Sequence, residues 1–190
     1  MTTLDALRLL IDALEGLQIP YMLVGALSVN QYAPPRSTND ADVVIDAQPA
    51  QLAQLAARLQ PLAHLDRQLT FETATGTRRT IVKVTGTDYQ IELFHVSQDA
   101  HDQQRFQRRL RADLEGLAVW VPTAEDVIVW KLRWVLAGGR SKDRDDVRAV
   151  LAVQGPRLDG VYIRRWTAQH GTGALLDEII ASLPVDLRAV

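Results

Sequence analysis

The segment Tyr21–Asp46, YMLVGALSVNQYAPPRSTNDADVVID, constrains the fold more than any other part of the chain. An apolar run ends at Gly25, a short helical stretch and a Pro-Pro turn follow, and Asp40 and Asp42 open a second apolar run. Side chains two positions apart on a strand point to the same face of a sheet. Two carboxylates side by side at the edge of a buried sheet are unfavourable unless a cation lies between them. The segment therefore predicts a divalent-metal site beside a glycine turn.

Composition limits the other possibilities. A chain of 190 residues, 47% hydrophobic and 23% charged, suits one globular domain or a core domain with a small helical extension. The net charge of −2 provides no general basic field, so nucleic-acid binding would need a local patch. The absence of cysteine excludes disulfides and thiolate metal sites. No apolar run approaches the ~20 residues of a membrane span, and the acid-containing N-terminal pattern predicts a helix rather than a signal peptide. We expect a cytoplasmic protein with no membrane association.

The hydrophobic periodicity predicts an α/β (α+β) fold, in which a mixed β-sheet flanked by helices is followed by a C-terminal helical bundle. We assign residues 1–121 to the α/β core and residues 122–190 to a helical region packed on it. The predicted elements of the core include two buried strands, a proline-initiated helix and a hairpin: Tyr21–Val24, Ala41–Ile45, Pro49–Leu59, and Arg79–Thr85 with Tyr89–Val96. Helices are predicted for most of the second half.

The glycine turn could hold phosphate. Gly25 stands where a strand passes into a helix, so backbone N–H groups there can face an anion. Ser28 lies one turn further on, and Arg36 precedes Asp40 in the same loop. The plainer interpretation is a half-exposed strand with solvated acids and a solvated arginine. A glycine turn followed at this spacing by Asp40 and Asp42 favours the metal and phosphate interpretation.

A third acid supports the metal site. Glu92 lies inside the apolar strand Tyr89–Val96, on the same face as Phe94. A carboxylate there is either buried at a cost or has a cationic partner. We expect it to be a third oxygen ligand, with Asp40 and Asp42, of two Mg²⁺ ions that align an attacking hydroxyl and a pyrophosphate leaving group of a nucleoside triphosphate.

Two further charges lie on apolar helical faces. Lys131 interrupts the apolar stripe of the helix that begins after Thr123, and Asp146 lies with Asp143 on one side of the next helix. Lys131 and Asp146 could form a buried ion pair with a structural role, or the far wall of an active cleft with the ammonium against a phosphate. The sequence leaves both interpretations open.

Basic residues cluster in the segment Asp102–Leu114, which we predict to be helical. The four arginines are Arg105, Arg108, Arg109 and Arg111. A solvated helical face is the simpler interpretation, and guidance of RNA phosphates is the alternative.

Three segments together resemble the nucleotidyltransferase superfamily that includes DNA polymerase beta and the kanamycin-modifying enzymes. They are VGALSVNQYAPPRSTNDADVV, IELF at 91–94 and EDVIVWKLRWVLAGGRSKDRDDVRAVL, and they span roughly residues 21–153. Within the superfamily the closest likeness is to the toxin-like branch related to the AbiE abortive-infection toxins.

This resemblance implies an Mg-dependent transfer of a nucleoside monophosphate from a nucleoside triphosphate such as ATP to a hydroxyl of an acceptor. Transfer RNA, a protein side chain and a small antibiotic are the candidate acceptors, and a cognate antitoxin is a candidate partner. The resemblance implies Asp40, Asp42 and Glu92 as metal ligands. It implies Gly25, Ala26 and Ser28 as contacts of the triphosphate. Lys131, Asp143 and Asp146 are then implied to line the site.

Ala26 departs from the Gly or Ser that usually follows the turn glycine in this superfamily. Alanine keeps the backbone N–H but supplies no hydroxyl. The alternative function is therefore a module of the same fold that binds a nucleotide or a partner protein with little or no turnover.

Overall fold

The computed structural model describes residues 2–38, 40–66, 70–72, 77–138 and 141–188. The chain divides into two compact units, each continuous in space but not in sequence. The first unit comprises Met1–Leu27 and Ser37–Val121, and the second comprises Ser28–Arg36 and Pro122–Val190. The second unit thus includes a segment, Ser28–Arg36, that the sequence analysis assigned to the α/β core, and the division into domains at residue 121 stays a prediction.

The first unit contains the mixed α/β layer. Its helices are α1 (Thr3–Gly16), α3 (Pro49–Leu59) and α4 (Ala100–Gln107), and α2 (Gly25–Val29) begins in it. Its strands are β1 (Tyr21–Val24), β2 (Asp40–Ile45), β3 (Ala63–Leu65), β4 (Thr70–Glu72), β5 (Thr77–Val84), β6 (Gln90–His95), β7 (Leu110–Leu114) and β8 (Leu117–Val121). The predicted mixed sheet flanked by helices is confirmed.

The main sheet has the strand order β1-β2-β6-β5-β3, with β4 also paired to β5. Strands β2 and β6 are parallel, whereas β1 with β2 and β5 with β6 are antiparallel. Asp42 is opposite Val24 on one side and opposite Glu92 on the other. The register therefore brings the end of β1, the acid pair of β2 and the acid of β6 to one part of the sheet.

Burial of one sheet face under α1 and α3 stabilises this unit. The alternate residues Ala41, Val43 and Ile45 of β2 are at most 1% exposed and belong to one apolar core. Helix α1 begins with a capping box, in which the Thr2 hydroxyl accepts from the Asp5 backbone N–H and the Asp5 carboxylate accepts from that of Thr2. Such caps satisfy amides that the first helical turn leaves unpaired.

The second unit is a helical bundle with its own apolar core. It contains α5 (Ala124–Gly138), α6 (Ser141–Gln154), α7 (Gly160–Gln169) and α8 (Gly173–Ala181). Helix α5 packs against α6 and α7, and α8 packs against α6 and α7. Of the described helices, none combines the length and the hydrophobicity that crossing a bilayer requires.

The segment Asp102–Leu114 corrects one prediction. It is helical only to Gln107, and residues Leu110–Leu114 form β7, which pairs with β8. Arg111 therefore lies on a strand and not on the predicted helix. Pairing with β8 provides backbone hydrogen bonds that outweigh the weak helical preference of a half-exposed, charged segment.

Candidate active site

The glycine turn and the acid pair are in direct contact. Gly25 has φ +65°, a left-handed conformation that an L side chain rarely adopts. A Cβ added at Gly25 would lie 2.0 Å from Oδ2 and 2.9 Å from Cγ of Asp42. No heavy atom can approach so closely, so only glycine allows the backbone of the turn to lie against this carboxylate. This close approach explains why a glycine follows β1 opposite the strand that carries Asp42.

The three predicted metal ligands lie on two neighbouring strands. Asp42 and Glu92 are register partners on the parallel pair β2 and β6, and Asp40 precedes Asp42 by two positions on the same face. Asp40 is exposed and Asp42 and Glu92 are partly buried. Partners on adjacent strands stand about 4.8 Å apart. The donor set consists only of carboxylate oxygens, which are the ligands that Mg²⁺ prefers.

Glu92 has a partner that the sequence analysis did not assign. The Arg79 guanidinium on β5 donates through one nitrogen to both Glu92 carboxylate oxygens, at 2.9 and 3.1 Å. Both side chains are partly exposed, at 29% for Arg79 and 25% for Glu92. The oxygens of Asp40, Asp42 and Glu92 do not all lie within 4.8 Å of one another. Glu92 thus has the cationic partner that its apolar strand demands, and its role as a metal ligand stays a prediction.

Tyr89 adds a buried hydroxyl near the acid pair. Its hydroxyl oxygen is buried and has no hydrogen-bond partner among the described residues. Burial and the nearby charges of Asp40 and Asp42 hold the pKa of Tyr89 well above its usual value. Asp40 itself accepts a 2.5 Å hydrogen bond from the Thr38 hydroxyl. The strand pattern placed Tyr89 on the face opposite Glu92, so the sequence offered no signal for this proximity.

In the second unit, Lys131 lies between two aspartates. Its ammonium is 2.6 Å from Oδ1 of Asp143 and 2.9 Å from Oδ2 of Asp146. The side chains of Lys131, Asp143 and Asp146 are 11%, 3% and 5% exposed. A buried ammonium requires such partners. The structure therefore contains the ion pair that the sequence analysis offered as the structural interpretation, extended by Asp143.

Arg36 completes this charge network. Its Nε and Nη2 donate to the two carboxylate oxygens of Asp146, both at 2.9 Å, in the two-pronged geometry typical of arginine and carboxylate. Asn30 holds the Arg36 backbone through both its carbonyl and its N–H. Burial acts to raise the pKa of Asp146, but hydrogen bonds and charges from Arg36 and Lys131 outweigh it and keep that pKa below its usual value. The phosphate role of Arg36 stays a prediction.

The two other residues predicted to contact the triphosphate at the glycine turn have buried side chains. Ser28 is buried at 2% exposure and Ala26 at 9%.

Three of the four clustered arginines have structural partners within the first unit. Arg105 forms a buried ion pair with Asp102, Arg109 lies over the rings of Phe106 and Trp120, and Arg111 pairs with Glu15. These contacts explain three of the arginines without RNA.

Comparisons with known proteins address the fold. No family model and no curated protein matches the chain. Among solved structures, it resembles ANT(2'')-Ia in complex with adenylyl-2''-tobramycin, with a TM-score of 0.64 and 12% identity over 90% of this chain and 99% of that one. An antigenic nucleotidyltransferase-like protein from Paracoccidioides brasiliensis gives a TM-score of 0.53 and 16% identity over 97% and 92%. The lincosamide antibiotic adenylyltransferase LnuA, lincomycin-bound, gives 0.50 and 13% over 80% and 98%.

At these identities the likeness establishes the fold alone. The chain has the fold of nucleotidyltransferases, as the sequence resemblance implied. None of these three structures is described as a toxin, so the assignment to the AbiE-related branch stays a prediction.

Proposed function

We propose that the protein is an Mg-dependent nucleotidyltransferase, which transfers a nucleoside monophosphate from a nucleoside triphosphate to a hydroxyl of an acceptor. The observation that carries the proposal is the contact between the Gly25 backbone and the Asp42 carboxylate, with Glu92 opposite in register. A glycine turn whose backbone lies against one carboxylate of an acid cluster suits a triphosphate and its metal ions. The fold shared with adenylyltransferases supports the same conclusion.

Asp40, Asp42 and Glu92 are the residues that would hold Mg²⁺, because they present carboxylate oxygens on adjacent strand positions. When bound, the metal neutralises charge on the triphosphate and on the leaving pyrophosphate. Gly25 lets the backbone of the turn lie directly against the Asp42 carboxylate, so a phosphate held by the turn would be next to this proposed metal ligand. Catalysis of this kind depends on positioning and on charge neutralisation. The participation of Ala26, Ser28, Arg36, Lys131, Asp143 and Asp146 is part of this proposal.

The proposal includes two classes of acceptor, RNA and small antibiotics. The family resemblance implies transfer RNA and a toxin-like role with an antitoxin, whereas ANT(2'')-Ia and LnuA are described with antibiotic ligands. The chain spans 99% of the ANT(2'')-Ia chain, which carries an adenylylated tobramycin. A small hydroxyl-bearing antibiotic is therefore an acceptor to be tested beside RNA.

The test is incubation of the protein with each α-labelled nucleoside triphosphate, Mg²⁺ and either total RNA or a panel of aminoglycosides and lincosamides. We expect label to enter one acceptor class, and we expect Asp42→Asn to abolish this transfer. Asp113→Asn, a change on β7 at a carboxylate that accepts from the Gly116 N–H, should leave it intact. Transfer that survives Asp42→Asn would contradict the proposed role of the acid cluster. Transfer to neither class, with pyrophosphate never released, would favour the second function.

That second function is nucleotide binding without turnover, and the Arg79–Glu92 ion pair favours it. A guanidinium that occupies both oxygens of Glu92 competes with a metal ion for the same ligand. If binding is the whole function, Arg79→Gln leaves the protein without transfer activity. If the protein is an enzyme, the variant remains active and requires a lower Mg²⁺ concentration for half-maximal rate, because Glu92 no longer has to leave its partner.

A further inference from the structure

Each of the three predicted metal ligands is in contact with a different neighbour. Asp42 lies against the backbone of the glycine turn, and an arginine of β5 donates to Glu92. Asp40 accepts from the Thr38 hydroxyl, with 2.5 Å between Thr38 Oγ1 and Asp40 Oδ1. Asp40 is the exposed member of the three. An exposed side chain exchanges between rotamers unless a neighbour restrains it, and Thr38 supplies such a restraint.

The Thr38 hydroxyl carries one proton, and the carboxylate is its closer acceptor. Thr38 Oγ1 also lies 3.2 Å from the carbonyl oxygen of Asp40. Hydrogen bonds to an ionised group are shorter and about twice as strong as those between neutral groups, so the carboxylate oxygen receives the proton. This bond uses one of about four lone-pair sites of the carboxylate. Thr38 can therefore restrain Asp40 while the same carboxylate binds a cation.

The pairing of the strands gives Asp40 less support than it gives Asp42. The described pairing of β1 with β2 ends where Val24 is opposite Asp42, and Asp40 lies two residues beyond that point. On its other side Asp40 is the register partner of Gln90 on β6. The orientation of the Asp40 side chain thus depends more on local contacts than that of Asp42 does.

The chain that leads to Thr38 is anchored. Arg36 donates to both carboxylate oxygens of Asp146 at 2.9 Å, and the Asn30 side chain holds the Arg36 backbone. Two residues span at most about 7 Å, so the position of Arg36 limits where Thr38 can lie. The β-branched side chain of threonine also has few χ1 rotamers. The Thr38 hydroxyl is therefore well placed to fix the carboxylate of Asp40.

We infer that Thr38 is a positioning residue, which orients Asp40 for the divalent cation of the proposed nucleotidyl transfer. The inference rests on the proposed function for the identity of the cation, and on the contact between Thr38 and Asp40 for the orientation. Carboxylates that bind metals are commonly hydrogen-bonded in turn, and loss of such a bond typically lowers metal affinity or activity about 10- to 100-fold. A carboxylate that is already ordered loses less entropy when it binds the cation. Serine keeps the donor that this role requires, whereas valine keeps only the shape of threonine.

The orientation is tested without metal or nucleotide. Three-bond NMR couplings from Asp40 Cγ to its backbone nitrogen and carbonyl carbon, measured on the full-length protein, report the χ1 rotamer. We expect one dominant rotamer in wild type and in Thr38→Ser, and averaged couplings in Thr38→Val. Thr85→Val is the matched control, because it removes another exposed hydroxyl, which donates to the Pro61 carbonyl at 2.9 Å. The control should leave the Asp40 couplings unchanged. Averaged couplings in wild type, or couplings that Thr38→Val does not change, would overturn the inference.

The metal dependence is measured as the Mg²⁺ concentration that gives half of the strengthening of triphosphate binding. Thr38→Val should raise this concentration about 10- to 100-fold, whereas Thr38→Ser and Thr85→Val should stay close to wild type. Affinity for the triphosphate without Mg²⁺ should be the same in all four proteins. An unchanged Mg²⁺ requirement in Thr38→Val would overturn the inference. A wild-type protein that binds no triphosphate would contradict the proposed function instead, and the couplings would still decide whether Thr38 positions Asp40.

Discussion

Replacement of Gly25 by alanine tests the geometry of the candidate site through two separate penalties. The left-handed conformation at φ +65° costs an alanine about 1–2 kcal/mol. The new Cβ would also lie 2.0 Å from Oδ2 of Asp42, and relief of such an overlap costs about 1–3 kcal/mol more. Gly25→Ala should therefore lower the free energy of unfolding by about 2–5 kcal/mol. Displacement of the Asp42 carboxylate by about 1 Å should lower any transfer rate about 100-fold.

Two controls separate these penalties in urea denaturation. Gly86 also has positive φ, at +76°, but an added Cβ there meets no atom of the described residues within 4 Å. Gly86→Ala should thus cost only the backbone part, about 1–2 kcal/mol. In an Asp42→Ala background, where Oδ2 and Cγ are absent, Gly25→Ala should fall to a similar value, which gives a coupling energy of about 1–3 kcal/mol. Equal losses for the two glycine variants, or a Gly25→Ala cost unchanged by Asp42→Ala, would refute the proposed contact.

Two further perturbations address the charges and the buried hydroxyl. The pKa of Asp146 is lowered in the folded protein, so its stabilising contribution is present above the ordinary carboxyl value of about 3.9 and is lost as pH falls through the lowered value. Asp146→Asn should be about 1–3 kcal/mol less stable than wild type at neutral pH, because Arg36 and Lys131 lose a charged partner. Between pH 6 and pH 2 the free energy of unfolding should therefore fall more steeply for wild type than for this variant. Parallel curves of unfolding free energy against pH would contradict this. Tyr89→Phe should leave the free energy of unfolding unchanged or raise it by up to about 1 kcal/mol, because the buried hydroxyl has no partner to lose among the residues that the structure describes. A marked loss of stability would show that the hydroxyl is bonded in solution.

Much of the sheet was predictable because its central strands are strongly apolar. The structure confirms Tyr21–Val24 as a strand and places the second strand at Asp40–Ile45, one residue longer than predicted. The helix Pro49–Leu59 matches its predicted bounds, because proline favours the first turn and the apolar stripe sets the length. The strands Ala63–Leu65 and Thr70–Glu72 were not predicted. Each has three residues, and segments so short have no periodicity of their own and depend on pairing with a neighbour.

The sequence predicted which side chains share a strand face at the candidate site, but it did not predict which residues on neighbouring strands they pair with. Alternation placed Asp40 and Asp42 on one face of a strand, and the structure keeps them there. The sequence could not show that Asp42 would lie directly opposite Glu92, because strand order and register depend on the whole sheet. The pairing of Glu92 with Arg79 was missed for the same reason, since the two residues lie diagonally across the paired strands β5 and β6 and their contact depends on the register.

We propose that Asp42, beside the glycine turn, holds the metal of a bound nucleoside triphosphate. Isothermal titration calorimetry with ATP, and with the other triphosphates in turn, measures this directly in the presence and absence of Mg²⁺. Wild-type protein should bind at least one triphosphate, Mg²⁺ should strengthen this binding, and Asp42→Asn should remove the strengthening by Mg²⁺. Binding that is identical with and without Mg²⁺, or identical in wild type and Asp42→Asn, would contradict it.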